Sequence, residues 1–186
     1  GAGVQWLRDR MKFFKKAPET EKIVKSLKDN NNIYLVPAFT GLGAPYWDAN
    51  ARGVLSGITR DTSPNEIVRA TIEAVAYQTY DLFEAMKHDG LRPKIVKVDG
   101  GMVNNNWFSQ FLSDIVNVKV LRPKVQETTA LGAAFMAGLH LGVYKSLKDI
   151  SKNWSIDKKF SPKMKNKKRT KLIKGWLKAI KRTLIN

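Results

Sequence analysis

The sequence predicts an α/β domain in which strands and helices alternate. Two observations support this prediction. Short apolar runs lead into glycine turns and then into stretches with helical periodicity, and no internal repeat or low-complexity linker separates them. The length of 186 residues fits one domain of ordinary size, so we interpret residues 1–186 as one unit.

The first third of the chain is predicted to hold two helices and two strands. An opening helix is predicted across Val4, Leu7, Met11 and Phe14, which recur at spacings of three and four. A second helix is predicted over residues 19–28, a turn over 30–32, and strands over 33–37 and 54–58. The loop between the strands, AFTGLGAPYWDANARG, is too rich in glycine and proline for regular structure. It is also too apolar for a free linker, so we expect it to fold back on the body.

The longest helix begins with a strong capping signal. Ser63 supplies a capping hydroxyl, Pro64 suits the first helical position, and Glu66 completes a capping box. An apolar stripe from Ile67 to Leu82 predicts a helix to about residue 86, which residues 88–90 end.

The second half repeats the order of strand, turn and helix. Strands are predicted over 95–98 and 118–121, with helices over 104–117, 128–142 and the C-terminal tail. The helix over 128–142 is rich in alanine and glycine, which indicates a close neighbour. Close packing on a sheet is the favoured explanation, and the floor of a ligand site is the alternative.

The formal net charge of +17 is concentrated in the tail. Twelve of the 33 basic residues and no acidic residue fall within 158–186. The tail has an apolar helical stripe, with lysines on its other side. A helix docked on the body with its lysines in water is therefore favoured over binding to a nucleic acid or an anionic surface. The tail's apolar stripe comprises Leu172, Ile173, Trp176, Leu177 and Ile180.

Several functional classes are excluded or disfavoured. With no cysteine, the chain can form no disulfide framework, cysteine-ligated zinc site or thiol nucleophile. No apolar run reaches membrane-spanning length and no signal peptide is evident, so we expect a soluble, cytoplasmic protein. The common phosphate-loop, dinucleotide, metal-helix and nucleophile motifs are missing. His88 and His140 lack partners at recognised spacings and are expected at helix ends or on the surface. Because the sequence begins with glycine inside a helical pattern, we expect the natural chain to begin further upstream.

One segment, IVKVDGGMVNNN at residues 95–106, has a plausible role in binding. A strand delivers two glycines and then a helix start, where the backbone can approach a ligand and free N–H groups favour an anion or a polar ring. Asn105, expected in the first helical turn, could hydrogen-bond a base or a ribose. Read alone, the signal is weak, and a tight turn with glycines for geometric reasons is the favoured explanation.

Three separated segments together resemble a known family. They are LVPAFTGLGAPYWDANARGVLSGITRDTSPNEIVRATIEAVAYQ, VDGGMVNNNWFSQFLSDI and ETTALGAAFMAG. In this order they resemble the C-terminal half of glycerol kinases, in the FGGY family of carbohydrate kinases, which also contains xylulose, gluconate and fuculose kinases. The resemblance runs from Gly1 to about Trp176.

The resemblance implies a fold, an activity and a set of binding residues. The implied fold is an actin-like ATPase domain with a ribonuclease H-type core, a mixed sheet flanked by helices. ATP and the acceptor would bind between this C-terminal nucleotide-binding domain and an N-terminal domain that holds the catalytic and acceptor residues and is absent here. Nucleotide contacts would come from Gly1, Gln5, Gly101 and Asn105. No catalytic residue or metal ligand is expected in this chain.

The full-length enzyme is expected to phosphorylate glycerol to sn-glycerol 3-phosphate, with ATP and magnesium. Its expected partners are its small-molecule substrates, its own N-terminal domain and further copies of itself. The alternatives are another sugar or polyol kinase of the family, for xylulose, gluconate or a similar acceptor, and a basic binding module acting through the tail.

Overall fold

The computed structural model describes residues 1–184, and helices and strands alternate in it as predicted. The helices are α1 (Ala2–Asp9), α2 (Glu19–Ser26), α3 (Pro64–His88), α4 (Asn106–Val116), α5 (Thr128–His140), α6 (Leu147–Lys152) and α7 (Asn166–Thr183). The strands are β1 (Tyr34–Val36), β2 (Val54–Ser56), β3 (Ile95–Lys97), β4 (Lys119–Pro123) and β5 (Ile156–Phe160). A 3-10 turn, Gly101–Asn104, connects β3 to α4.

The strands form two small sheets. β1 and β2 pair antiparallel, with Leu35 opposite Leu55. In the second sheet β4 lies at the centre, parallel to β3 and antiparallel to β5, so the sheet is mixed. The sequence did not predict β5, because only Phe160 in it is buried and its remaining residues show no apolar alternation.

Helix α3 lies at the centre of the fold and contacts α1, α2, α4 and β1. Its capping box forms as predicted, with the Ser63 hydroxyl accepting from the backbone N–H of Asn65. The predicted single apolar stripe is wrong. Most residues between Glu66 and Tyr77 are buried on every side, while Leu82 is 39% exposed. Arg69 and Glu73 lie inside as an ion pair with N and O atoms 2.8 Å apart.

The opening helix is shorter than predicted. It ends at Asp9, and Lys12 takes a left-handed conformation with φ 58°. Phe14 is buried because the chain folds back and places it beside Leu7, and Met11 is 43% exposed. Leu7 and Phe14 therefore pack together because the chain turns back after α1, and not because one continuous helix carries both.

The loop over residues 38–53 folds back as predicted. Ala38, Leu42 and Ala51 are buried, and Leu42 exchanges backbone hydrogen bonds with Asp48. Trp47 lies at the outer tip and is 78% exposed.

Helix α7 confirms the prediction for the tail, with one exception. It packs on β1, β2 and α4 through its apolar face, and its outer lysines are exposed. Trp176 is fully buried and donates to Asp81 Oδ2 over 2.8 Å, whereas Leu177 is 39% exposed. Among residues 1–184, no helix is both long enough and apolar enough to span a membrane.

Candidate functional site

The four residues singled out as nucleotide contacts line one cavity of about 380 Å³. Gly1 and Gln5 reach it from the start of α1, and Gly101 and Asn105 reach it from the turn after β3. The cavity also borders the first turn of α2, and Ile72 of α3 contributes to its wall. Residues about one hundred positions apart in sequence therefore meet at the carboxyl end of β3.

The buried side chain of Arg122 holds the turn after β3 in place. Arg122 of β4 donates to the backbone oxygen of Val103 over 2.8 Å and is paired with Asp157 of β5 at 2.7 Å. Gly100, which precedes the turn, has φ 80°, a conformation that favours glycine. These contacts hold the backbone of the turn, which borders the cavity, in one conformation.

Gly101 faces open space. A Cβ atom built on it would have no heavy atom within 4 Å, and its backbone is not in the left-handed region. The fold itself therefore does not require glycine at this position. A larger side chain would instead occupy part of the space next to the turn.

Asn105 is the N-cap of α4 and does not lie in the first helical turn, as the sequence had indicated. Its Oδ1 accepts from the backbone N–H of Phe108 over 2.9 Å, and its Nδ2 donates to Thr20 Oγ1 over 3.4 Å. The helix start captures the amide oxygen because its first N–H groups have no partner within the helix. The second N–H of the Asn105 amide has no hydrogen-bond partner within residues 1–184, and Asn105 lines the cavity.

Sequence reasoning missed the contribution of α2. Thr20 is 4% exposed, donates to the backbone oxygen of Ala17 over 2.7 Å and supports the Asn105 amide. A signal was present, since Thr20 lies four residues before the buried Val24 and therefore on the same face of the helix. The other cavity residues not predicted from the sequence are Val4, Arg8, Ala17, Pro18, Glu21, Ile72, Met102 and Asn104.

Glu21 places a carboxylate at the rim of the cavity. Partial burial raises its pKa, but Lys25, at 2.6 Å, and the backbone N–H of Asn106, at 3.4 Å, outweigh this effect and lower the pKa overall. Glu21 therefore stays ionised at neutral pH. Its negative charge disfavours a phosphate on this side of the cavity and suits a hydrogen-bond donor of a ligand.

Within residues 1–184, helix α5 shows neither of the two roles considered for it. It does not line the cavity, and none of its residues is buried, so it packs closely on no sheet of the described chain. It is joined to the end of β3 by a hydrogen bond between Thr128 Oγ1 and Asp99 Oδ2. The small side chains of this helix face away from the described core.

The histidines lie where the sequence placed them. His88 and His140 are exposed at the last positions of α3 and α5. Within residues 1–184, no three His, Cys, Asp or Glu side chains are close enough to hold a metal ion.

A larger groove of about 1010 Å³ lies between residues 28–32 and α7. Lysines dominate its lining, and none of the four predicted nucleotide contacts reaches it. Trp176 points into the core and not into this groove, so it offers no surface on which a base could stack. We therefore take the smaller cavity as the candidate functional site.

The fold and the cavity define an α/β domain with a candidate ligand site at a strand–turn–helix junction. Residues 1–141 match the FGGY family of carbohydrate kinases, C-terminal domain, and the chain belongs to this family. The resemblance found in the sequence is thereby confirmed, and so is the expected actin-like ATPase fold with its mixed sheet and flanking helices.

Particular members of the family are similar to nearly the whole chain. A glycerol kinase of Clostridium botulinum is 52% identical over 185 residues, which are 99% of this chain and 37% of that protein. The crystal structure of Plasmodium falciparum glycerol kinase with ADP superposes with a TM-score of 0.87 at 38% identity, covering 100% of this chain and 37% of that one. The structure of the ligand-bound xylulose kinase from Lactobacillus acidophilus superposes with a TM-score of 0.77 at 26% identity. The match covers 98% of this chain and 37% of that one. The chain thus spans about 37% of the length of these relatives.

Proposed function

We propose that this chain is the C-terminal nucleotide-binding domain of an ATP-dependent glycerol kinase. The observation that carries the proposal is the convergence of Gly1, Gln5, Gly101 and Asn105 on one cavity, in a chain similar to glycerol kinases. The full-length enzyme would transfer the γ-phosphoryl group of ATP to a terminal hydroxyl of glycerol. The products are ADP, sn-glycerol 3-phosphate and the proton of that hydroxyl.

In this proposal the chain binds and orients the nucleotide. The turn from Gly101 to Asn104 offers backbone surface to the ligand, and the free N–H of Asn105 donates to an acceptor atom of the base or ribose. Gln5 adds a second amide from α1. Phosphoryl transfer depends on positioning and on charge stabilisation, so a domain that fixes only the nucleotide makes an essential contribution.

The acceptor and the catalytic base would belong to an N-terminal domain of the same protein. Dividing nucleotide and acceptor between two domains makes domain closure the step that aligns them and excludes water. The isolated chain is then expected to hold nucleotide weakly and to transfer no phosphoryl group.

Glycerol is favoured as the acceptor over a pentulose or a hexonate. The support is the 52% identity to a glycerol kinase in sequence and, among the superposed structures, 38% identity to a glycerol kinase against 26% to a xylulose kinase. The acceptor contacts are expected largely outside these residues, so the choice of acceptor rests on overall similarity.

For the full-length enzyme, the proposal also includes the use of magnesium, assembly into a homo-oligomer and a cytoplasmic location. The described carboxylates do not cluster into a metal site, so the residues present do not by themselves fit a magnesium ion. The ion is expected on the nucleotide phosphates, with carboxylate support from the N-terminal domain.

A phosphorylation screen of the full-length enzyme tests the proposal. Purified protein is assayed by ADP release with glycerol, D-xylulose and D-gluconate under the same conditions, with the isolated chain in parallel. Glycerol is expected to give the highest kcat/KM, and the isolated chain is expected to give no turnover. A higher kcat/KM with xylulose or gluconate would overturn the choice of acceptor, and turnover by the isolated chain would overturn the division between domains.

A further inference from the structure

The groove between residues 28–32 and α7 is a concave surface with a strong positive charge. Its volume of about 1010 Å³ exceeds the 380 Å³ of the candidate nucleotide cavity. Among its lining residues within 1–184, Asp29 is the one acid, and its carboxylate accepts from the backbone N–H of Asn31 over 2.9 Å. The lining lysines are Lys28, Lys165, Lys167, Lys168, Lys171 and Lys174.

The lysines of the groove have no carboxylate partner in the described part of the chain. The lysine ion pairs within residues 1–184 are those of Lys25, Lys87 and Lys152, and these residues lie outside the groove. All six lining lysines are exposed. Positive charges collected in a concave surface repel one another, and an anion bound between them offsets this repulsion. The groove therefore favours a negatively charged ligand.

The start of α7, which forms part of one wall, departs from the usual pattern of helix starts. Lys165 occupies the N-cap and makes no side-chain hydrogen bond there, and the first turn contains no acidic residue. Lys167 and Lys168 instead add positive charge beside the first backbone N–H groups, where the helix dipole already favours an anion. A local conflict of this kind is typical of functional positions. The helix start and the lysines thus favour the same kind of ligand.

The lysines of α7 form a row along the groove. Lys167, Lys171 and Lys174 are four and three residues apart, so they lie on one side of the helix over about 10 Å of its length. Lys28 comes from the segment that forms the other wall. A row of charges matches an extended ligand with several linked negative groups better than it matches a single phosphate ion.

The lining also indicates what the ligand lacks. Within residues 1–184, it contains no aromatic side chain and no arginine. Single-stranded nucleic acids gain affinity from bases that stack on aromatic rings, and arginine binds phosphate in a fixed two-pronged geometry. Lysine instead contacts phosphate as a point charge at the end of a flexible stem. The groove is therefore suited to a flexible chain of phosphates without bases.

We propose that this groove binds linear inorganic polyphosphate, at a site separate from the candidate nucleotide cavity. The chain of phosphates lies along α7, with Lys28 on one wall and Lys167, Lys171 and Lys174 on the other. Binding is non-covalent and releases counterions from the polyphosphate, so it weakens as the salt concentration rises. The inference goes beyond the proposed function and does not depend on kinase activity.

Titration of the full-length protein into fluorescently labelled polyphosphate, followed by anisotropy with excess ADP present, measures this binding. The double variant Lys171→Ala/Lys174→Ala is compared with Lys178→Ala/Lys181→Ala, which removes the same charge from exposed positions of α7 outside the groove. The groove variant is expected to raise Kd at least about tenfold and to reduce the slope of log K against log salt by about one per lysine. The control is expected to bind like the parent.

Three results would overturn the proposal. The first is an absence of polyphosphate binding by the parent. The second is an equal loss in both double variants, because the charge of the whole helix would then be responsible. The third is equal or tighter binding of an oligothymidylate with the same number of phosphates, which would make single-stranded nucleic acid the ligand.

Lys167→Glu separates a role in binding from a role in the fold. An acid in the first turn is favoured by the helix dipole, so the Tm of the free full-length protein is expected to rise. The same change puts a negative charge into the groove and is expected to raise the Kd for polyphosphate at least about tenfold. Parental affinity in Lys167→Glu would contradict the site, and a lower Tm would contradict the conflict at the helix start. Both measurements are independent of phosphoryl transfer, so the proposed kinase activity is tested separately.

Discussion

At the level of single residues, the cavity separates groups that serve the fold from groups that remain for a ligand. Asn105 serves the fold, since its oxygen caps α4, and in the proposed site its second N–H, which has no partner within residues 1–184, contacts the ligand. The fold does not require glycine at position 101, because the surrounding structure would accept a larger side chain, so in the proposed site Gly101 serves only the ligand. Substitutions at these two positions therefore separate effects on ligand binding from effects on folding.

Gly101→Val is expected to weaken ADP binding more than Asn105→Ala does. The valine would occupy the space of the ligand, whereas truncation of Asn105 removes one hydrogen bond worth about 0.5–1.5 kcal/mol, or roughly a threefold to tenfold change in Kd. Calorimetric titration of ADP into the chain and both variants measures the difference. Gly101→Val should keep the parental Tm, and Asn105→Ala should lose about 1 kcal/mol of stability as a missing helix cap. Unchanged ADP affinity in Gly101→Val would disprove the placement of the nucleotide.

Asp81 makes the stability of the chain depend on pH. Burial raises its pKa to about 6, even though hydrogen bonds from Trp176 and Tyr46 act in the opposite direction. Since the folded-state pKa lies above the unfolded value of about 4, folding favours the protonated form. Stability is therefore lost as pH rises from about 4 to about 6, by roughly 3 kcal/mol in total from this group.

Asp81→Asn is expected to remove this part of the pH dependence. The asparagine oxygen can still accept from Trp176, while no carboxylate has to ionise inside the protein. Urea unfolding at pH 4, 5, 6 and 7 compares the parent with Asp81→Asn and with Asp61→Asn, which removes a negative charge at an exposed position. The free energy of unfolding of the parent and of Asp61→Asn should change by the same amount over this range, and Asp81→Asn should become more stable relative to both as the pH rises. If the free energy of unfolding changed equally with pH in all three proteins, Asp81 would be ionised in the folded chain without a loss of stability.

At the level of elements, α3 organises the molecule. Its start is fixed by the Ser63 and Glu66 capping box, and Asn31 donates to Glu66 Oε1 over 3.3 Å from the turn before β1. Hydrogen bonding from Ser63 is the main reason that the pKa of Glu66 lies below its ordinary value. The cap therefore secures the start of α3 and also links it to the neighbouring turn.

Ser63→Ala is expected to destabilise the chain by about 1 kcal/mol. The substitution leaves the N–H of Asn65 without its acceptor and removes the hydroxyl that hydrogen-bonds Glu66. Ser63→Thr, which retains a capping oxygen, is the matched control and should cost only a few tenths of a kcal/mol. Chemical denaturation of the three proteins checks this prediction, and equal midpoints for alanine and threonine would refute it.

At the level of the whole molecule, two regions of the chain differ in how well they are enclosed. Helices α3, α4 and α7 and the first sheet bury a continuous core around Tyr77 and Trp176. The segment around α5 and α6 buries none of its helical residues. The chain therefore has one well-packed region and one uncovered region.

The isolated chain is expected to self-associate despite its net charge of +17. Apolar side chains on the uncovered region and on the outer loop, such as Leu141 at 76% and Trp47 at 78% exposure, favour contacts between copies. Sedimentation velocity at several concentrations should show a weight-average mass that rises with concentration, more strongly at high salt, where repulsion is screened. A monomer at every concentration and salt would contradict this expectation.

Much of the fold and the site was determined by local sequence signals. The alternation of elements, the Ser63 cap, the apolar face of α7 and the glycine turn after β3 depend on residues within one or two turns of each other. The four proposed nucleotide contacts came from a resemblance to a known family, and the structure brings all four into one cavity. Their individual contacts with a nucleotide stay predictions.

The tertiary structure alone decided the remaining features, because they depend on groups distant in sequence. Strand β5 forms because its backbone groups hydrogen-bond to those of β4. The buried charges of Arg69 and Glu73 are tolerated because each neutralises the other. Thr20 and Asn105 meet only when α2 and α4 pack together. A groove between two segments is recognised only when both are in place, and for this reason the lysine-lined groove between residues 28–32 and α7 could not be inferred from the sequence.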